Sequence, residues 1–138
     1  MNELKLTIPG VPIAKKRPRF ARRGRFVTTY NCQETEEGRW LLSVRESFRK
    51  NGLLEPLSTP VSIAMTFFMP IPASAPKRLR ALMELNQAHT KKPDLDNCVK
   101  FVLDCLNGEL FRDDSLVYRI SAEKRYAVNP GTVLTVRW

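Results

Sequence analysis

The stretch Lys91–Val117, "KKPDLDNCVKFVLDCLNGELFRDDSLV", holds every aspartate of the chain: Asp94, Asp96, Asp104, Asp113 and Asp114. Its local structure decides both the fold and the site. Pro93 cannot carry a helix back through Lys92 and biases that residue towards extended backbone, so "PDLD" is expected to be extended. Residues i and i+2 of an extended segment point the same way. That turns Asp94 and Asp96 to one side and Leu95 into the core. Asp96 is a good N-cap, and a helix is expected from Asn97 to about Asn107, stopped by Gly108. Lys100 lies one turn in, near the same mouth. "FRDDS" then brings Asp113 and Asp114 to the start of the next strand, which is expected to lie beside the helix's first turn.

Outward from this segment the hydrophobic periods assign the rest. "ELKLTI", residues 3–8, alternates with Leu4, Leu6 and Ile8 on one face, as a strand does, and Arg25–Thr29 reads as a short second strand. Trp40, Leu41, Val44 and Phe48 recur at helical spacing over Gln33–Lys50, with Glu34, Glu36 and Glu37 at the dipole-favoured start. Val61–Met69 is a strongly apolar, central strand, and a basic helix is expected from Lys77 to about Ala88. Leu116, Tyr118, Ile120 and Ala122 alternate in a strand to about Ala127; after the "NPGT" turn, Val133–Trp138 closes the sheet. The order β, β, α, β, α, α, β, β predicts one α+β domain over residues 1–138, a mixed or antiparallel sheet with packed helices.

Composition narrows the function. With 138 residues and no run near about 18 apolar residues, a membrane span is excluded. The amino terminus lacks a signal-peptide layout, so the expected address is the cytoplasm. His89 is the only histidine, which leaves zinc clusters and Ser-His or Cys-His pairs poorly supplied. Cys32, Cys98 and Cys105 are an odd number without CxxC spacing, read as reduced, buried thiols. The net charge of +9 points to a polyanionic partner, nucleic acid above all. "KKRPRFARRGR" concentrates that charge in Lys15, Lys16, Arg17, Arg19, Arg22, Arg23 and Arg25. Phe20 stands among them, placed to stack on a base, and Lys91 and Lys92 add charge beside the aspartates. Forked guanidinium donors match phosphate oxygens.

Clustered carboxylates repel one another unless a cation neutralises them, and hard Mg²⁺ prefers such oxygens. Beside a basic surface such an ion would polarise a phosphodiester and activate water, with Lys100 facing the charge that builds on phosphorus oxygens. Each residue also has a plainer role. Asp96 can be an N-cap alone, Asp104 can pair with Lys100, and Asp113 and Asp114 can be turn residues. From Cys98 to Leu106 seven of nine residues are apolar, leaving only Lys100 and Asp104. That helix therefore has a second face for a partner subunit, or for the 77–88 helix, to cover.

"KPDLDNCVKFVLDCLNGELFRDDSLV" resembles the signature of the RusA family of Holliday junction resolvases, and "IPGVPIAKKRPRF" resembles that family's opening strand and basic loop. The resemblance spans the chain. It implies a homodimeric, Mg²⁺-dependent endonuclease, with Mn²⁺ substituting, that cuts four-way DNA junctions by paired nicks in recombination and repair, common in phages and prophages. It implies Asp94, Asp96 and Asp114 as catalytic metal ligands and Lys100 as the essential basic residue, with Asp113 a further ligand. Two other functions fit the same residues: a nuclease of like chemistry on flaps, forks or duplex, and a non-catalytic nucleic-acid-binding module.

Overall fold

The computed structural model describes residues 1–16, 19–30 and 34–138. A four-stranded sheet forms its frame. β1 (Glu3–Pro9), β4 (Val61–Pro70), β5 (Val117–Ala127) and β6 (Gly131–Arg137) stand in the order β1-β6-β4-β5. β6 runs antiparallel to both neighbours, whereas β4 and β5 are parallel. The parallel pair needs a crossover, and this carries α2 (Lys77–Glu84) and α3 (Leu95–Leu106). The α+β class, the mixed sheet and the inner position of the 61–69 strand agree with expectation.

The core lies between one face of the sheet and the helices α1 (Glu34–Lys50) and α3. β1 buries every second residue, Leu4, Leu6 and Ile8; β4 does the same with Val61, Ile63, Met65, Phe67 and Met69. Trp40 of α1 meets Phe101 of α3 edge-on at 5.9 Å, which locks the two helices together.

Four expectations need correction. The basic segment is not a loop: β2 (Arg19–Arg23) and β3 (Phe26–Tyr30) pair antiparallel as a separate hairpin, closed by Gly24 at φ +60 and Arg25. Glycine takes that left-handed backbone without strain. α2 stops at Glu84 rather than near Ala88, because Asn86 turns left-handed (φ 61) and residues 87–89 instead bond the edge of β5. α3 begins at Leu95, two residues early. Asp94 is its N-cap, extended at ψ 142, and Asp96 is already helical. The two aspartates are therefore not i and i+2 of one extended run. Finally, the second face of α3 is partly covered within the chain. Lys15 N donates to Asn97 O at 2.9 Å, and Ile13 and Ala14 join Val99 and Leu103 against the core. The helix therefore leaves less of its surface for a partner subunit to cover than its composition implies.

Candidate functional site

At the start of α3 the backbone and the side chain of Asp94 part company. The residue occupies the N-cap, but its carboxylate makes no capping hydrogen bond. It accepts instead from Lys92 Nζ at 2.9 Å. This bond and the Lys92 charge hold the Asp94 carboxyl below the usual carboxylate range, so it is ionised at neutral pH. One residue into the helix, Asp96 lies 3.8 Å from Lys100 Nζ, an i,i+4 pair open to solvent. A carboxylate in the first turn also suits the helix dipole. Two aspartate and two lysine side chains, Asp94 with Lys92 and Asp96 with Lys100, thus stand at one exposed helix start.

Lys124, which the sequence reading passed over, fixes this corner. Its Nζ reaches from β5 to donate to Lys91 O at 2.7 Å and Pro93 O at 2.6 Å. The turn that presents Asp94 is therefore tied to the sheet by one partly buried ammonium. A signal was available: Lys124 continues the same-face set Ile120, Ala122, Tyr126 of β5, and a lysine on the inward face of a strand needs an acceptor.

The other two candidate ligands are elsewhere. Asp113 caps the 3-10 turn Asp114–Leu116, accepting from Ser115 N at 3.1 Å; the Ser115 hydrogen bonds hold its carboxyl below the usual range. It thus fills the plainer role of a turn residue. Asp114 is exposed and makes no ion pair or hydrogen bond through its side chain among the described residues. It leads directly into β5, whereas Asp94 sits beside Lys124, seven residues beyond Val117. At about 3.3 Å of rise per residue that is roughly 23 Å along the strand. α3 runs the opposite way for about 18 Å, and its far end leads on through residues 107–113, so the carboxylate pairs stand at opposite ends of one α3–β5 unit. The expectation that β5 starts beside the helix's first turn is overturned. Accordingly, no group of three His, Cys, Asp or Glu side chains among the described residues is close enough to hold a metal ion.

Asp104 does not pair with Lys100. It meets Lys15 Nζ at 3.2 Å, and Glu37 accepts from the same ammonium at 2.9 Å. Burial works against the Lys15 charge, but these two carboxylates outweigh it and raise its pKa. Lys15 therefore ties the opening segment to α1 and α3, and its charge is already matched, unlike that of a phosphate contact. Lys16 reaches Glu36 at 4.0 Å. Arg22 and Arg25 are exposed at the hairpin, as are Lys91 and Lys92 beside α3. Arg17 lies outside the described residues, as do the side chains of Arg19, Phe20 and Arg23. Cys98 and Cys105 are free and buried; burial pushes both thiols up, Cys105 to about 12. Cys32 lies outside the described residues.

The family model described as "Endodeoxyribonuclease RusA" matches residues 9–137. The chain is also 28% identical to "Uncharacterized protein YqaN" of Bacillus subtilis (strain 168), over 99% of this chain and 97% of that one. No helix among the described residues is long and apolar enough to cross a membrane.

Proposed function

Because the chain belongs to the RusA endodeoxyribonuclease family, we propose that it is a divalent-metal-dependent endonuclease resolving four-way DNA junctions by paired nicks. The single observation that carries this reading is the start of α3. There Asp94 keeps its carboxylate out of the helix cap, ionised and already holding a cation, the Lys92 ammonium. Asp96 stands in the first turn of the same helix. Carboxylate oxygens suit Mg²⁺ or Mn²⁺, so the donor chemistry fits. One chain supplies this pair, and completion of the set calls for a third carboxylate.

A second copy offers one. β5 is an edge strand, and among the described residues only the 87–89 segment pairs with its outer side. Antiparallel pairing of two β5 edges runs the Asp114 end of one strand towards the Lys124 end of the other, where Asp94 and Asp96 sit. A homodimer of this kind carries two equivalent sites related by a twofold axis, which suits two cuts in one junction.

In such a site Asp94, Asp96 and Asp114 of a second copy hold the ion, which when bound polarises the phosphodiester and lowers the pKa of a water. Lys92 must release Asp94 and becomes free to meet phosphate. Lys100 sets a positive charge where negative charge grows on the phosphorus oxygens. Arg22, Arg25 and Lys91 bind the backbone of the arms, and the enzyme works in the cytoplasm.

The test is a cleavage assay on a mobile-arm four-way junction and on linear duplex of the same sequence. Mg²⁺ should give two symmetrically placed nicks in the junction alone, and chelator should stop them. Asp94→Asn should bind the junction and cut it at least about 100-fold more slowly, since a catalytic metal contributes several kcal/mol. Full cutting by that variant removes the site from the reaction, and equal cutting of duplex removes the junction.

A further inference from the structure

Behind the Lys92–Pro93 turn the sheet end opens into a concavity of about 440 Å³, lined by Met69, Pro70, Ile71, His89, Pro93 and Tyr126 among others, with Lys91 and Lys92 at its rim. The residues facing it are apolar, aromatic or cationic, and no carboxylate lines it. His89 and Tyr126 form a ring pair, centroids 4.7 Å apart and tilted by 59°. His89 is 9% exposed, and its Nδ1 is buried without a hydrogen-bond partner among the described residues. Burial, with the charge of Lys124 added, lowers its pKa, so the ring is a neutral imidazole at pH 7. A buried polar atom without a partner is costly, and native folds seldom keep one without a use.

The geometry points to this pocket as the receptor for one unstacked nucleobase of the DNA, the base attached to the phosphate held at Asp94. Three observations converge on that occupant. The rings of His89 and Tyr126 line it together with Pro70, Pro72 and Pro93, and aromatic rings suit stacking by a base, a contact available to every base because each has a π-face. Lysines at the rim suit a ligand whose flat apolar part carries an anion. Lys92, which bonds Asp94 at 2.9 Å, also lines the pocket, so a single nucleotide can place its phosphate at the carboxylates and its base here. Unstacking a paired base costs a few kcal/mol, least where pairing is already disturbed. At a crossover point stacking is already interrupted, so the pocket favours branched over linear DNA without reading sequence across a groove.

This inference rests on the nuclease reading, and the experiment separates the two. Single-turnover cutting is measured on junctions carrying one abasic nucleotide, placed in turn at each position flanking the cut. Base–aromatic stacking contributes about 1–3 kcal/mol per base, so one position should slow the wild-type protein by roughly 5- to 150-fold. Val11→Trp alters an exposed residue of the pocket wall, 57% exposed, and fills the cavity without emptying the core. On intact junction it should be slowed by the same factor, with no further loss from the abasic nucleotide. His89→Leu, which keeps the bulk but removes the ring face, should lose the coupling likewise. The pocket assignment is overturned if the wild-type protein tolerates every abasic position, or if the abasic penalty is the same in both variants. It is also overturned if Val11→Trp only dissociates a dimer, which would give the cavity to a side chain of a second copy. If intact junction is not cut at all, the nuclease reading itself fails, and the pocket assignment falls with it.

Discussion

Lys124 donates two hydrogen bonds to the carbonyls of Lys91 and Pro93, and these are the backbone atoms that fix where Asp94 leaves the chain. Hydrogen bonds from a charged donor contribute about 1.5–3 kcal/mol, and a carbonyl left unpaired adds its own penalty. Lys124→Met is therefore expected to lower stability by about 2–4 kcal/mol. The functional effect should be separable from that loss. Residues that orient metal ligands typically change metal affinity or activity by about 10- to 100-fold. In Lys124→Met the Mg²⁺ concentration giving half-maximal cutting should rise by about that factor, while junction affinity in chelator stays within about twofold; Lys124→Arg, which keeps a donor, should recover part of the loss. A titration showing an unchanged Mg²⁺ midpoint in Lys124→Met would reduce the lysine to a structural tie. At this scale the sequence was only partly legible. The carboxylates announce themselves because aspartate occurs nowhere else, but their partners do not. Lys100 takes Asp96 rather than Asp104, and Asp104 takes Lys15 from a segment 89 positions away in the chain. The i,i+4 rule offers Lys100 either aspartate equally, and the Lys15 pair follows from tertiary placement, which that rule cannot see.

Elements with one strong period were read correctly, and those carrying charge were not. β1, α1 and β4 follow directly from the spacing of Leu4, Leu6 and Ile8, of Trp40, Val44 and Phe48, and of the β4 apolar run, because burial on one face enforces the period. The Arg25–Thr29 strand is realised as β3, but its partner β2 escaped because it alternates no apolar set; five of the seven clustered cations fall on 17–25, where composition reads as solvated loop. As a two-stranded element apart from the main sheet, the hairpin can project cations without distorting the core. Two-stranded ribbons suit nucleic-acid grooves. Arg22 and Arg25, exposed near its turn, should each neutralise a phosphate. The double variant Arg22→Gln/Arg25→Gln is then expected to lower the slope of log affinity against log salt by about 1.8, from about 0.9 per phosphate contact. Fluorescence anisotropy of labelled junction across a salt series measures this. A slope equal to that of the wild-type protein would take the hairpin tip out of the interface, leaving Lys91 and Lys92 as the main phosphate contacts.

For the whole molecule the separation of the carboxylates becomes the deciding fact. One chain holds Asp94 and Asp96 at the Lys124 end of β5 and Asp114 at the other. The outer edge of β5 carries Tyr118 at 65% and Ile120 at 41% exposure. Tyr118 is displaced where the register slips at Val61/Ser62, whereas Ile120 stays paired with Ile63 on the core-facing side. An edge paired only at residues 124–126 among the described residues, with apolar side chains before them, is a template for another strand, and a twofold axis across it makes the contact self-complementary. Ile120→Arg sets two like charges against each other at that axis. The wild-type protein should sediment at twice the 15.9 kDa of one chain, and the variant should sediment at that of one chain and lose cutting. Mixing chains gives the sharper result. Asp94→Ala and Asp114→Ala proteins, each inactive alone, form heterodimers on co-refolding. If each site joins Asp94 and Asp96 of one chain to Asp114 of the other, one of the heterodimer's two sites inherits both defects and the other inherits none. The mixture should then regain nicking at one strand per junction, without the paired second cut. Ligands drawn from a single chain would leave both sites defective in every combination, so a mixture as inactive as its components rules out assembly across the β5 edge.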